Sequence, residues 1–452
     1  MWLNSRVLLA LTLLAMNLSV SVSRADFVSP LETDLDSVQA RFDVLRDPNL
    51  KEISFSTYTL RNDHIGSMFM SMLIEASRRG VHVRGIVDND VADKTPELMT
   101  LLNEAGVQLR YYHPKTLKPL KLLNPVKFLQ NMDRRLHDKL FIATFADGHR
   151  ALLQGDKNYD DIYFAKTGLF EVSKKSYQGR EIFIEGATAV EALKYFDFIW
   201  SSEHVDIRKP KSPKSLVTLQ AERDRLQAFS RWVNTYVRAG NWRKNRTHVE
   251  KIDFLTDDFD SEGRRVRSTL AKVFDLIQNS PPNSKIEIEN CFLVLNPTME
   301  RAFKTALAKG SHIRIITNSN RSNDQKLVSA ALKIDLQKYR KMGIEIYFTD
   351  LDNAIHSKLV AINDTLIIMS ANLDPRSLKI NSESGVVLRD EKLAAQYRRF
   401  FDENAVESNL ILDKGMFVST TPASKPFSFL RPDQPLGSLL QRVLIALIRG
   451  QL

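Results

Sequence analysis

Glu75-Ala76-Ser77-Arg78-Arg79-Gly80-Val81-His82-Val83-Arg84-Gly85-Ile86-Val87 and Lys304-Thr305-Ala306-Leu307-Ala308-Lys309-Gly310-Ser311-His312-Ile313-Arg314-Ile315-Ile316-Thr317 read alike. Each is the end of an amphipathic helix, a glycine stop and a β-branched strand. Gly80 and Gly310 are predicted helix caps in the left-handed conformation, which costs glycine least. The likeness continues in order. Downstream, residues 102–105 followed by Gly106-Val107-Gln108-Leu109-Arg110-Tyr111-Tyr112 are echoed by residues 339–342 followed by Gly343-Ile344-Glu345-Ile346-Tyr347-Phe348. Upstream, Ile53-Ser54-Phe55-Ser56-Thr57-Tyr58 pairs with Ile286-Glu287-Ile288-Glu289-Asn290-Cys291-Phe292. Three matched pairs in one order indicate a duplicated chain, each half reading strand, helix, strand, helix, strand. Such alternation predicts an α/β fold with a mostly parallel sheet flanked by helices and reactive groups near strand ends.

The remaining sequence fits around this repeat. A chain of 452 residues holds two to four domains of roughly 100–200 residues. Its 43% hydrophobic content and single cysteine exclude a disordered or disulfide-stapled protein, and Cys291 reads as a core residue. With 64 basic against 54 acidic residues, the charge of +10 favours an anionic surface, either lipid headgroup or nucleic acid. Residues 1–25 carry Arg6, no acidic residue, an apolar stretch from Val7 to Val22, and Ser23-Arg24-Ala25. That is the layout of a secretory signal peptide, with an uncleaved anchor as the alternative. The mature chain would start at Asp26 and be exported to the cell envelope, either periplasmic or membrane-associated. The halves are assigned to residues 26–205 and 266–405, and a C-terminal extension to 406–452. Residues 206–265 read as a charged helical connector, in which Trp232, Tyr236 and Trp242 are packing residues rather than a base-stacking platform.

Chemistry is concentrated after the last strand of each repeat. The first half has Leu136-His137-Asp138-Lys139-Leu140 and then Gly155-Asp156-Lys157-Asn158; the second has Ile355-His356-Ser357-Lys358-Leu359 and then Ser370-Ala371-Asn372. Strand residues two apart share a face, so each His-x-Lys presents an imidazole beside an ammonium. The apolar runs 151–153 and 366–368 suggest neighbouring strands that bring Asn158 and Asn372 to the same spots. Halves packed about a pseudo-two-fold axis would merge both sets into one pocket. Such a pocket suits a phosphodiester: Lys139, Lys358, Asn158 and Asn372 hold the non-bridging oxygens while His137 and His356 divide nucleophilic and acid–base work. This chemistry requires no metal or other cofactor.

These residues resemble the phospholipase D superfamily with its doubled HKD motif, and especially the bacterial cardiolipin synthases of the C type. The resemblance covers Val87-Asp88-Asn89-Asp90, Arg135 to Lys139, Gly155 to Phe164, Thr317-Asn318-Ser319 and Ser370 to Ser377, with Asn381-Ser382-Glu383. It implies two phospholipase D-like αβα sandwich halves related by a pseudo-two-fold axis, in a monomer with an internal pseudo-dimer. It also implies ping-pong transfer, in which His137 attacks phosphorus and His356 shuttles the proton, or the reverse. Glu383 matches the family carboxylate that orients a histidine, expected to be His137 in the other half, and Glu181 is expected as its first-half counterpart. The family aspartate five residues after each lysine is replaced by Thr144 and Asn363. Asn158 follows His137 by 21 positions and Asn372 follows His356 by 16, which predicts a longer hairpin turn in the first half.

A phospholipid substrate implies contact with a membrane surface. Residues 436–452, apolar with Arg442 and Arg449, suit an interfacial helix or a packed one. Residues 114–132 alternate leucines with Lys115, Lys118, Lys121 and Lys127, which suits either a lip dipping into anionic lipid or a solvated loop. Three activities compete: phosphatidyl transfer making cardiolipin, phospholipase D hydrolysis to phosphatidic acid, and metal-independent nuclease action. A fourth reading is a degenerate lipid-binding protein without both family aspartates. The cardiolipin synthase-like motifs favour lipid over nucleic acid.

Overall fold

The computed structural model describes residues 26–112, 134–171, 176–207, 211–259, 265–323, 325–349, 354–406, 408–411 and 417–419. The signal peptide reading of 1–25, the lysine-rich segment at 114–132 and the apolar segment at 436–452 fall outside them. The first of two nine-stranded sheets contains β1 (Asp26–Leu31), β2 (Leu50–Thr57), β3 (His82–Asp88), β4 (Gln108–Tyr112), β5 (Leu140–Phe145), β6 (Arg150–Gly155), β7 (Glu181–Glu185), β8 (Val205–Asp206) and β9 (Thr247–Val249). The second contains β10 (Ile252–Thr256), β11 (Lys285–Asn290), β12 (His312–Asn318), β13 (Glu345–Thr349), β14 (Lys358–Ile362), β15 (Thr365–Met369), β16 (Ser384–Arg389), β17 (Asn409–Ile411) and β18 (Phe417–Ser419).

The first order, β8-β4-β3-β2-β5-β6-β7-β1-β9, matches the second read as β17-β13-β12-β11-β14-β15-β16-β10, with β9 and β18 as extra edges. Duplication is therefore visible strand by strand. The sheets are mixed, however, and not mostly parallel. Only β2, β3 and β4, and likewise β11, β12 and β13, run parallel, because helical crossovers join them. The other pairings between these strands are antiparallel, and short turns join β5 to β6 and β14 to β15. The turn between β5 and β6 takes residues 146–149, whereas Asn363-Asp364 suffices between β14 and β15, with Asn363 at φ +51°.

The described helices are α1 (Asp34–Arg46), α2 (His64–Arg78), α3 (Pro96–Glu104), α4 (Ala187–Trp200), α5 (Leu216–Tyr236), α6 (Thr269–Gln278), α7 (Pro297–Ala308), α8 (Lys326–Lys341), α9 (Pro375–Lys379) and α10 (Glu391–Val406). Gly80 after α2 and Gly310 after α7 adopt φ of +92° and +82°. The expected separate connector is divided between the halves. Helix α5 packs on α2 and α3, β9 pairs with β1, and β10 pairs with β16. Burial explains this, because Leu226 and Val233 of α5 complete the first core.

One apolar cluster joins the two halves. Ile142, Leu152 and Ile184 meet Leu359, Leu366, Ile368 and Val386, flanked by Tyr195 and Phe196 of α4 and Tyr397 of α10. Each large apolar side chain buried there contributes about 1.5–3 kcal/mol. The buried Arg180 guanidinium also crosses to Glu289, with two 3.1 Å hydrogen bonds. This packing fixes the relative position of the loops that follow the strands.

Candidate active site

The loops carrying the two His-x-Lys sets are held by equivalent backbone devices. Asp88, ending β3, accepts the N–H of Leu136 at 3.2 Å; Asn318, ending β12, accepts that of Ile355 at 2.9 Å. Each histidine N–H then donates into the opposite half, His137 to the carbonyl of Ser382 (2.9 Å) and His356 to that of Gln178 (2.7 Å). Both imidazoles consequently line one cavity of about 370 Å³. Tyr58, Tyr177, Asn372, Phe292 and Val328 also line it, with Arg135 and Arg376.

The lysines lie behind the rings. Lys139 Nζ donates to the carbonyl of His137 at 2.7 Å, and Lys358 Nζ donates to that of His356 at 2.6 Å while standing 3.0 Å from its ring nitrogens. Burial lowers Lys139 to about 7, with Glu383 opposing the shift and Lys358 reinforcing it. Asn158 is buried under the first set, its Oδ1 accepting the Thr59 N–H at 3.2 Å. In the second half, Asn372 Oδ1 accepts from Cys291 Sγ at 3.2 Å.

The two imidazoles have different carboxylate surroundings. His137 Nδ1 stands 2.9 and 2.8 Å from the two oxygens of Glu383, which also accept from Ser370 Oγ (2.6 Å) and Ser377 Oγ (2.7 Å). Burial alone would raise the Glu383 carboxyl, but His137 and these donors hold it at about 2. Burial lowers His137 to about 4, opposed by Glu383 and assisted by Lys139. Nδ1 is thereby fixed, leaving Nε2 for chemistry. His356 is also pushed well down, by burial first and then by Lys358, Lys139 and His137.

Glu181 is not brought to this site. Its carboxylate forms a bidentate buried pair with Arg41 at 2.7 and 2.8 Å. Thr144 lies in β5 opposite Glu52 and Arg150. Asn363 accepts the Lys285 N–H and donates to Ser284 Oγ, both at 3.0 Å. Sequence reasoning missed Tyr58 and Cys291 as cavity residues. They are equivalent, each following the central strand of its half, and the tendency of ligands to bind beyond strand carboxyl ends was the available signal. Cys291 is buried as expected, yet it faces the cavity and its Sγ is 3.3 Å from Lys358 Nζ.

Two mirrored α/β halves with paired His-x-Lys sets in a shared cleft define the phospholipase D class of fold. Comparison with known proteins agrees. Residues 273–405 match the family described as "Cardiolipin synthase, PLD-like domain". The chain is 24% identical to cardiolipin synthase C of Escherichia coli K12, covering 92% of this chain and 93% of that one. It is 22% identical to cardiolipin synthase B of the same organism, over 75% of this chain and 71% of the relative. Phosphatidylserine synthase of Haemophilus influenzae has the same fold, with TM-score 0.63, 15% identity and 96% coverage of both chains. Residues 273–405 thus match a cardiolipin synthase-type PLD-like domain, and the chain as a whole is similar to cardiolipin synthases of the phospholipase D superfamily.

Proposed function

We propose that the protein is a phosphatidyltransferase that makes cardiolipin-type lipid at a membrane surface of the cell envelope, through a phosphohistidine on His137. The observation that carries this reading is the shared cavity, lined by both imidazoles but with Glu383 bound to only one of them. His137 is neutral near pH 7, and its Nδ1 proton is held by Glu383, so Nε2 attacks the phosphorus of phosphatidylglycerol. The P–O bond to glycerol breaks, and imidazolium His356 gives its proton to the departing oxygen. The diester's own negative charge favours that imidazolium in the otherwise cationic pocket. The hydroxyl of a second phosphatidylglycerol then loses its proton to His356 and attacks phosphorus. Cardiolipin forms and His137 is released. Lys139 and Lys358 offset charge on the non-bridging oxygens, and Asn372 offers its amide. Phe292 and Val328 give the cavity an apolar side that suits an acylglycerol better than a sugar–phosphate chain.

The test is incubation with phosphatidylglycerol vesicles containing chelator, with and without phosphatidylethanolamine. Cardiolipin with equimolar glycerol or ethanolamine is the expected outcome. Phosphatidic acid without cardiolipin would make the protein a hydrolase. Unchanged lipid alongside cut plasmid would replace the lipid reading with a nuclease.

A further inference from the structure

The pseudo-two-fold axis identifies the residue equivalent to Glu383 in the first half. Leu136 bridges Ser382, and Ile355 bridges Gln178. Glu383 follows Ser382, whereas Gly179 follows Gln178. The equivalent of the orienting carboxylate is therefore a glycine, and Glu181 lies two residues too far along. A second exchange accompanies the first. Two residues before Asn372 stands Ser370, a hydroxyl donor to Glu383; two residues before Asn158 stands Asp156.

Asp156 occupies the space that Gly179 leaves. A β-carbon at position 179 would lie 2.3 Å from Asp156 Oδ1. Oδ2 of the same carboxylate accepts the Arg180 N–H at 2.9 Å. Oδ1 is fully buried, accepts no hydrogen bond among the described residues, and stands 3.8 Å from His356 Nδ1. Tyr163 and Tyr177 also pack against the imidazole, with ring centroids 4.8 and 5.7 Å away.

We propose that Asp156 is the positioning residue of His356, a carboxylate supplied from the end of β6 because position 179 carries none. This rests on the reading of His356 as the proton-transfer group. When His356 takes the proton of the incoming hydroxyl, the ring becomes a cation that already has a hydrogen bond to the Asp156 backbone, and Asp156 Oδ1, 3.8 Å from Nδ1, is the carboxylate oxygen that faces it. Lys358, Lys139 and His137 face the ring and oppose that cation; Glu181 and Lys157 flank Asp156 with opposite signs. Burial raises the Asp156 carboxyl, which Lys358 opposes, and lowers His356.

The experiment is an NMR titration of histidine-labelled full chain, with the His356 signal assigned by its loss in His356→Gln. Asp156→Asn should lower the His356 midpoint by about 1 pH unit or more, as removal of an opposite charge within ~4–6 Å does. Glu181→Gln should leave it unchanged. Gly179→Ala, whose methyl would displace the same oxygen, gives a second route should Asp156→Asn fold poorly. On phosphatidylglycerol vesicles, Asp156→Asn should lower kcat more than it alters KM and move the alkaline limb of the rate to lower pH. An unchanged midpoint in both Asp156→Asn and Gly179→Ala would overturn the proposal. So would a shift produced by Glu181→Gln instead. An Asp156-dependent midpoint in a protein that turns over no lipid would support the pairing while removing the proposed function.

Discussion

Glu383→Gln separates the orienting role of the carboxylate from simple space filling, because the side chains have nearly the same shape. In the native site the carboxylate serves His137 Nδ1 and the hydroxyls of Ser370 and Ser377, at 2.6 to 2.9 Å. An amide has one acceptor oxygen, and its NH2 must face either a hydroxyl or the ring. At least one charge-assisted hydrogen bond to the imidazole is lost, along with the negative charge that stabilises a phosphorylated ring carrying a proton on Nδ1. The expected loss is about 2–4 kcal/mol of transition-state stabilisation, or roughly 30- to 1000-fold in kcat/KM. The assay is initial-rate cardiolipin formation from phosphatidylglycerol vesicles, with unfolding midpoints to confirm that both proteins are folded. A folded variant within about threefold of wild type would refute the role assigned to Glu383. The same substitution has a stability signature. Glu383 is held at about 2, below the usual carboxylate range, so its contribution is fully present above that range and lost as pH falls through about 2. Acid unfolding of the Gln variant should lack that component.

His137→Ala and His356→Ala should each lower lipid turnover by at least about 1000-fold without changing the far-UV spectrum, and a variant keeping the full rate would remove that histidine from the mechanism. Only the second should still form a labelled phosphoprotein, since it keeps the nucleophile. Arg41→Met leaves Glu181 buried and unpaired and should cost about 3–5 kcal/mol by urea unfolding, whereas Arg41→Met with Glu181→Leu should recover most of it. An equal loss in the double variant would show that packing, and not the orphaned charge, sets the cost. Gly85→Ala should destabilise the first half by about 1–3 kcal/mol, because its β-carbon would lie 2.4 Å from the Phe55 ring and 2.6 Å from Leu109. A midpoint equal to wild type in chemical denaturation would contradict that clash.

Local residue patterns determined the duplicated α/β halves, the glycine stops at Gly80 and Gly310, and the nearness of each histidine to its lysine. These features depend on neighbours in the chain, and helical and strand periodicities record them directly. The same patterns predict a mostly parallel sheet, because strand–helix alternation sets the direction of β2 to β4 and β11 to β13 but not that of β5 to β7 and β14 to β16, which pair antiparallel. They also set residues 206–265 apart, since a charged segment does not reveal that β9 and β10 complete the edges of two different sheets. The carboxylate pattern could be settled only in three dimensions. Glu181 resembles Glu383 by sequence context, yet register places it two residues beyond the bridge, where Arg41 takes it. Asp156 reaches His356 only because Gly179, distant in sequence, leaves that space empty. A proton's neighbours are decided by through-space distances of a few ångströms, and two strands fix those distances only after the apolar interface has locked the halves together.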